Sequence, residues 1–210
     1  MNNNYMEVVA LLDMSGSMQN VAADTIGGFN AYLQELAESE MNVNITLIVF
    51  NTWSQTVLSH QNVKQCNKLT NLTYKPNGST CVPDALANAI KSMRKYIQLQ
   101  SSNEKPKVSF FLSTDGEKNA MGQFSRKYVK KMVTKAIEND KWEFIFAGSN
   151  IDAFDIGQQL GFKTDSITNV DNDGIGQKAL YEVVAQKQTT LQVSPDIQDL
   201  YTQSITALRK

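Results

Sequence analysis

The sequence predicts an α/β domain: a doubly wound, mostly parallel sheet with one antiparallel edge strand and helices on both faces. Three observations predict it. Short β-branched and aromatic runs alternate with segments of helical periodicity along the whole chain, the pattern of a sheet covered on both sides by helices. The run Val8-Val9-Ala10-Leu11-Leu12 is apolar without alternation, as a strand buried on both faces must be. Two such runs end directly in acidic residues, Asp13 and Asp115, and open α/β sheets hold their ligands beyond the carboxyl ends of their strands.

Each element has its own signal. Residues 5–12 form the first strand. Across residues 21–38, Ile26, Phe29, Leu33, Leu36 and Ala37 recur at helical spacing. Gly27-Gly28 either weakens that helix or allows close backbone packing. Residues 43–50 are a β-branched strand, and a second strand over 52–58 follows so closely that an antiparallel hairpin at a sheet edge is expected. Residues 59–79 are polar and read as an irregular segment. A helix starts at Val82 with Pro83 in its first turn, where proline is tolerated, and runs to about residue 98. Residues 108–114 are another buried strand, ending in Asp115-Gly116-Glu117. A basic amphipathic helix over 125–139, a strand over 142–147, a short helix over 152–160 and a short strand over 166–170 follow. Two helices, over 173–188 and 196–208, complete the chain. No linker-like change of composition divides it. Residues 1–210 therefore read as one domain, with a core over about 5–170 and a helical C-terminal extension over about 171–210.

Composition removes several function classes. The chain has 210 residues, 41% hydrophobic and 20% charged, with a net charge of −1. That balance gives no electrostatic footprint for nucleic acid or for a polybasic membrane contact. Cys66 and Cys81 lack C-x-x-C spacing and read as reduced thiols of a cytoplasmic protein. The first residues lack the basic and apolar regions of a secretory signal, and no apolar run has transmembrane length.

The chemistry lies at three places. Asp13, Ser15 and Ser17 sit at alternate positions after the first strand, Thr80 opens the loop before a helix, and Asp115 follows a second buried strand. Carboxylate and hydroxyl oxygens are hard ligands that suit Mg²⁺ or Mn²⁺. In isolation, D-x-S-x-S favours helix capping over metal binding. The convergence of five such residues at one edge of a parallel sheet favours a metal.

With Asp13-Met14-Ser15-Gly16-Ser17, then Gly78-Ser79-Thr80 ahead of a helix, then Phe111-Leu112-Ser113-Thr114-Asp115-Gly116-Glu117, the chain resembles a von Willebrand factor type A domain. These segments are similar to the three that build that family's metal-ion-dependent adhesion site, and the resemblance covers roughly residues 5–150. It implies a Rossmann-like fold and a Mg²⁺ site (Mn²⁺ as the alternative). Asp13 and Asp115 would be its acidic groups, Asp115 often acting through water. Ser15 and Ser17 would be direct ligands, and Thr80 a direct or water-mediated one. It also implies an open coordination position that takes an Asp or Glu of a partner protein, hence a protein-binding module and not an enzyme. In the family a shift of the Thr80 segment can accompany binding. An AAA+ ATPase, an assembly protein or another copy of the chain are the partners that follow. Residues 146–154 and Leu160-Gly161-Phe162 resemble small, stand-alone bacterial and phage members.

Other readings compete. A structural subunit of a phage or bacterial assembly would keep the fold with an incidental metal. A Mg²⁺-dependent, phosphatase-like hydrolase using an aspartate nucleophile needs a second acid two residues later, where this chain has Ser15. Neither G-x-G-x-x-G nor a P-loop follows the first strand. His60 reads as a surface residue in a polar loop, and Cys81 as a small buried apolar residue. Asp171-Asn172-Asp173-Gly174 reads as a turn, since the later ligands of a calcium loop are missing. Glu117 is either a second acid behind the site or an exposed charge. Asn150 and Asp152 either line its rim or belong to a loop and helix cap. The basic residues from Arg126 to Lys135 read as the solvated face of a helix.

Overall fold

The computed structural model describes residues 4–101, 105–116, 122–149, 151–189 and 196–210. Among these residues six strands form one sheet: β1 (Tyr5–Asp13), β2 (Asn42–Phe50), β3 (Ser54–Asn62), β4 (Lys107–Thr114), β5 (Glu143–Gly148) and β6 (Ile167–Asn169). The helices are α1 (Ala22–Glu38), α2 (Val82–Leu99), α3 (Arg126–Glu138), α4 (Ala153–Leu160), α5 (Gly174–Thr189) and α6 (Ile197–Leu208). The spatial order is β3-β2-β1-β4-β5-β6. All neighbours pair in parallel except β2 and β3, which pair antiparallel. The predicted doubly wound sheet with one antiparallel edge is thus what the chain forms.

The order reverses at β1. The chain moves outward through β2 and β3, then returns to place β4 on the other side of β1. Loops leaving β1 and β4 therefore diverge, and a crevice opens between their carboxyl ends. This is where Asp13 and Asp115 stand.

Alternation along each strand feeds two cores. Val8, Ala10 and Leu12 of β1 pack with Phe29 and Tyr32 of α1, Leu180 and Val184 of α5 and Ile197 of α6. Val9 and Leu11 face the other way, onto Leu86 and Ile90 of α2, Val133 of α3 and Leu160 of α4. The two helices read as a C-terminal extension thus form much of one covering layer: α5 lies on α1, and α6 on α5 and β6. No helix among the described residues is long and apolar enough to cross a membrane.

Two expectations are corrected. The edge strand continues to Asn62 instead of ending near residue 58. Only Leu58 of β3 is fully buried, so an edge strand facing water carries little hydrophobic signal. A register irregularity lies opposite Thr46. There His60 adopts φ +48° and its N–H donates to Thr46 Oγ1 (3.1 Å). His60 is therefore not a loop residue. Its Nδ1 lies 2.9 Å from Glu7 Oε2, and its ring stacks on Tyr96 at 3.6 Å. Glu7 is fully buried and also accepts from the Tyr5 hydroxyl and from Asn44 Nδ2 (3.1 Å). These partners satisfy an acid set among the apolar residues of the central strand.

The Asp171–Gly174 segment is a turn. Asp173 Oδ1 accepts from Gly176 N (2.7 Å), and Arg209 Nη2 donates to Asp171 and Asp173 at 2.8 and 2.7 Å. The lysines at 127, 130, 131 and 135 are exposed, the solvated face expected of α3.

The two adjacent glycines of α1 have different roles. A Cβ on Gly28 would stand 2.4 Å from the ring of buried Tyr181 on α5, whereas a Cβ on Gly27 would meet nothing within 4 Å. Gly28→Ala is expected to destabilise the fold by about 1–3 kcal/mol through overpacking. Gly27→Ala is expected to stabilise it by up to about 1 kcal/mol through helix propensity. Urea denaturation of both variants checks the pair.

Candidate metal centre

The site begins where β1 leaves the sheet. Met14 N still donates to Phe50 O (2.6 Å), but the chain then turns into a 3₁₀ segment, Gly16–Val21. Ser15 N folds back onto Asp13 Oδ1 (2.8 Å), a local side-chain to backbone bond favoured by Asp at a chain turn. Ser15 Oγ and Ser17 Oγ are 3.1 Å apart, and Ser17 Oγ donates to Asp115 Oδ1 (2.7 Å). The last paired residues of β1 and β4 are Leu12 and Ser113. The next pair is therefore Asp13 and Thr114, and Thr114 Oγ1 donates to Asp13 Oδ2.

Thr80 arrives on a separate segment stitched alongside. Asn77 N donates to Met14 O (2.9 Å) and Gly16 N to Gly78 O (3.0 Å). Gly78 has φ +72°, and a Cβ there would crowd Thr52 Oγ1 at 3.2 Å, so the tight pass needs glycine. A Cβ on Gly116 would lie 3.5 Å from Thr80 Oγ1, which puts that hydroxyl next to the Asp115 segment. The fold thus brings Asp13, Ser15, Ser17, Thr80 and Asp115 together. All but Ser17 are buried.

Two carboxylates are out of water here. Burial pushes the Asp13 carboxyl up to about 6, against the pull of its hydrogen bonds from Thr114 and Ser15. The nearby charge of Asp115 adds to the rise. Burial also raises Asp115, opposed by its bond from Ser17. Among the described residues no lysine or arginine forms an ion pair with either acid. Asp115 Oδ2 is buried with no hydrogen-bond partner among them. A buried acceptor left without a donor is costly unless something else occupies its lone pairs. The remaining donors are all oxygens, and no group of three or more His, Cys, Asp or Glu converges among the described residues. A hard divalent cation fits such a set, with hydroxyls and water completing its shell.

Several supporting residues carry no sequence signal. Thr114 becomes a partner of Asp13 only through the β1–β4 register. Tyr74, deep in the long loop after β3, donates its hydroxyl to Asp13 O. Asn51 ties the loops together, donating from Nδ2 to Asn77 O (3.0 Å) and accepting from Cys81 N (3.0 Å). Asp84 of α2 accepts from Gln123 N (2.9 Å) and Phe124 N (3.0 Å). Cys81 is buried. Asp152 caps α4 by accepting from Asp155 N (3.0 Å). Glu117 and Asn150 lie outside the described residues.

The raised Asp13 has a definite sign. Its ordinary value is 3.8 and its folded value about 6, so the folded state binds this proton more tightly than the unfolded chain. The metal-free fold has the full benefit below about 4 and loses it as the pH rises through about 6. Thr114→Val removes a donor that matters most when Asp13 is charged. The variant is expected to lose about 1–3 kcal/mol at pH 7.5 and clearly less at pH 5. Urea denaturation of metal-free protein at the two pH values measures this.

Comparison with known proteins places the fold. The profile of the von Willebrand factor type A domain family matches residues 7–179. Among solved structures, a von Willebrand factor type A protein from Catenulispora acidiphila superposes with TM-score 0.59 at 13% identity, over 91% of this chain and 44% of that one. The pilus adhesin SpaC from Lactobacillus rhamnosus GG, in its open conformation, gives 0.64 at 16% identity over 90% of this chain and 31% of that one. Manganese-loaded TRAP protein of Plasmodium vivax gives 0.56 at 17% identity over 80% and 69%. No curated protein sequence matches the chain. At these identities the superpositions speak for the fold, and the first two neighbours are more than twice as long as this chain. The family profile spans most of the sequence: the chain belongs to the von Willebrand factor type A domain family.

Proposed function

We propose that this chain is a divalent-metal-dependent protein-binding module. Asp13, Ser15, Ser17, Thr80 and Asp115 would hold Mg²⁺, with Mn²⁺ as a substitute. The observation that carries the proposal is the buried Asp115 Oδ2, without a donor among the described residues, beside a second buried carboxylate. Bound there, the ion would supply an electrophilic position for an Asp or Glu side chain of a partner protein. The chain's own residues prepare that position. Thr114 and Ser15 N hold Asp13 in one orientation and favour its charged form. Ser17 orients Asp115, and the bonds between the 14–16 and 77–78 segments hold the Thr80 loop in place.

The family and its neighbours support the reading. One neighbour is a pilus adhesin and another a manganese-loaded protein. Ser15 stands where an aspartate-nucleophile hydrolase needs its second acid, which supports binding over catalysis. Cys66 and Cys81 are free thiols, which supports a reducing, cytoplasmic setting. The shared core under α1, α5 and α6 supports treating residues 1–210 as one domain. An assembly protein, an AAA+ ATPase or a second copy of the chain fits the partner's role.

Calorimetric titration of Mg²⁺, then Mn²⁺, into chelator-stripped protein tests the site. One-to-one binding is expected in the natural protein and none in Asp13→Ala, with the variant keeping a cooperative melt. Absence of binding at millimolar metal, or equal binding in the variant, would sink the proposal.

A further inference from the structure

Trp53 is 69% exposed, whereas the other tryptophan, Trp142, is 6% exposed. An indole in water forgoes the burial of a large apolar surface, so its placement matters. Trp53 occupies the turn between β2 and β3, on the same edge of the sheet as Asp13. The turn is held from within: Asn51 N donates to Trp53 O (2.8 Å) and Trp53 N to Asn51 Oδ1 (3.2 Å). It is also fastened to the Thr80 segment on both sides of that residue. Ser79 N donates to Thr52 Oγ1 (3.2 Å), and Cys81 N to Asn51 O (3.0 Å). The indole thus stands on a backbone hydrogen-bonded to the candidate metal centre, with little left to order on binding.

A cavity of about 250 Å³ opens beside it, lined by Asn51, Trp53, Ser54, Asp84, Asn88 and Gln123 among others. Apart from the indole and the Cys81 thiol, its lining is amides and hydroxyls plus one carboxylate, and Asp84 already accepts two backbone N–H groups. Neutral donors and acceptors of this kind suit the main chain of an extended peptide better than a charged ligand.

We infer that Trp53 is the apolar anchor of the partner-binding surface, and that the occupant is an extended acidic segment of a protein. Its carboxylate would take the open position of an ion held by Asp13, Ser15, Ser17, Thr80 and Asp115, while its main chain lies over the cavity beside Trp53 and an apolar side chain at a set distance from the acid packs on the indole. The inference rests on the metal-dependent reading. Binding hot spots are enriched in tryptophan, tyrosine and arginine.

The probe is a library of short synthetic peptides with one fixed Asp and randomised flanks, selected on Mg²⁺-loaded protein and again in chelator. Peptides enriched with Mg²⁺ are expected to share an apolar residue at one offset from the Asp. Trp53→Ser is expected to lose that preference and to bind the best peptide about ten-fold more weakly, while its Mg²⁺ affinity and melting temperature stay unchanged. In a Trp142→Phe background the same peptide is expected to shift Trp53 emission to the blue. Flanks that stay random, or a Trp53→Ser variant that selects the same peptides with the same affinity, would overturn the inference and leave the metal site standing. Selection unaffected by Trp53→Ser while the variant changes from dimer to monomer on a sizing column would overturn it in favour of a second copy. Failure of Mg²⁺ binding itself would remove the metal reading and this inference together.

Discussion

A carboxylate taken out of water must be held by dipoles, neutralised by a cation or discharged by a proton, and Asp13 is such a group. It lies at the end of the most buried strand in the sheet, with Asp115 beside it. Thr114 Oγ1 and Ser15 N supply dipoles, but not enough to bring the acid back to its ordinary range. The structure around it follows from that deficit. The hydroxyls of Ser15, Ser17 and Thr80 are gathered around the pair, and Tyr74 satisfies the Asp13 carbonyl from below. Burial keeps the Tyr74 phenol well above its usual range, so it remains a neutral donor.

The geometry is set by topology before it is set by side chains. Because the strand order turns back at β1, the loops after β1 and β4 leave in opposite directions and do not cover the crevice. Two further segments then close its sides. The turn at Asn51–Trp53 and the loop at Asn77–Cys81 are hydrogen-bonded to each other and to Met14 and Gly16. Asp84, in the first turn of α2, ties that helix to Gln123 and Phe124 after β4. A displacement of the Thr80 segment would therefore be felt by the β2–β3 turn, which shares its hydrogen bonds.

The opposite end of the sheet solves a different problem. Glu7 is a second buried acid on β1, but its oxygens are met by Tyr5, Asn44 and His60. The two acids of one strand therefore differ in kind: Glu7 is met by neighbours that knit β1, β2, β3 and α2 together, whereas Asp13, though bonded by Ser15 N and Thr114, stays raised by burial beside a second buried carboxylate. The irregularity at His60 also disturbs the antiparallel edge, and the opposite edge strand, β6, has only three residues. Both features limit pairing with another chain.

What the sequence determined by itself was the alternation of elements, the two-sided burial of β1 and the oxygen-bearing residues after two strands. These follow from local periodicity and from residue chemistry, which a single chain carries openly. The five residues of the candidate site were legible for the same reason, since each directly follows a strand or opens a helix. The length of β3, the true setting of His60, and the parts played by Thr114, Tyr74, Asn51 and Trp53 were decided only by tertiary structure. An edge strand facing water has no hydrophobic pattern to read. A threonine becomes the partner of an aspartate 101 residues away only when the register of β1 on β4 sets them side by side. Which of two adjacent glycines lies against Tyr181 depends on how α5 crosses α1. Pairings between distant segments depend on register and packing angle, and neither is written in any local stretch of the chain.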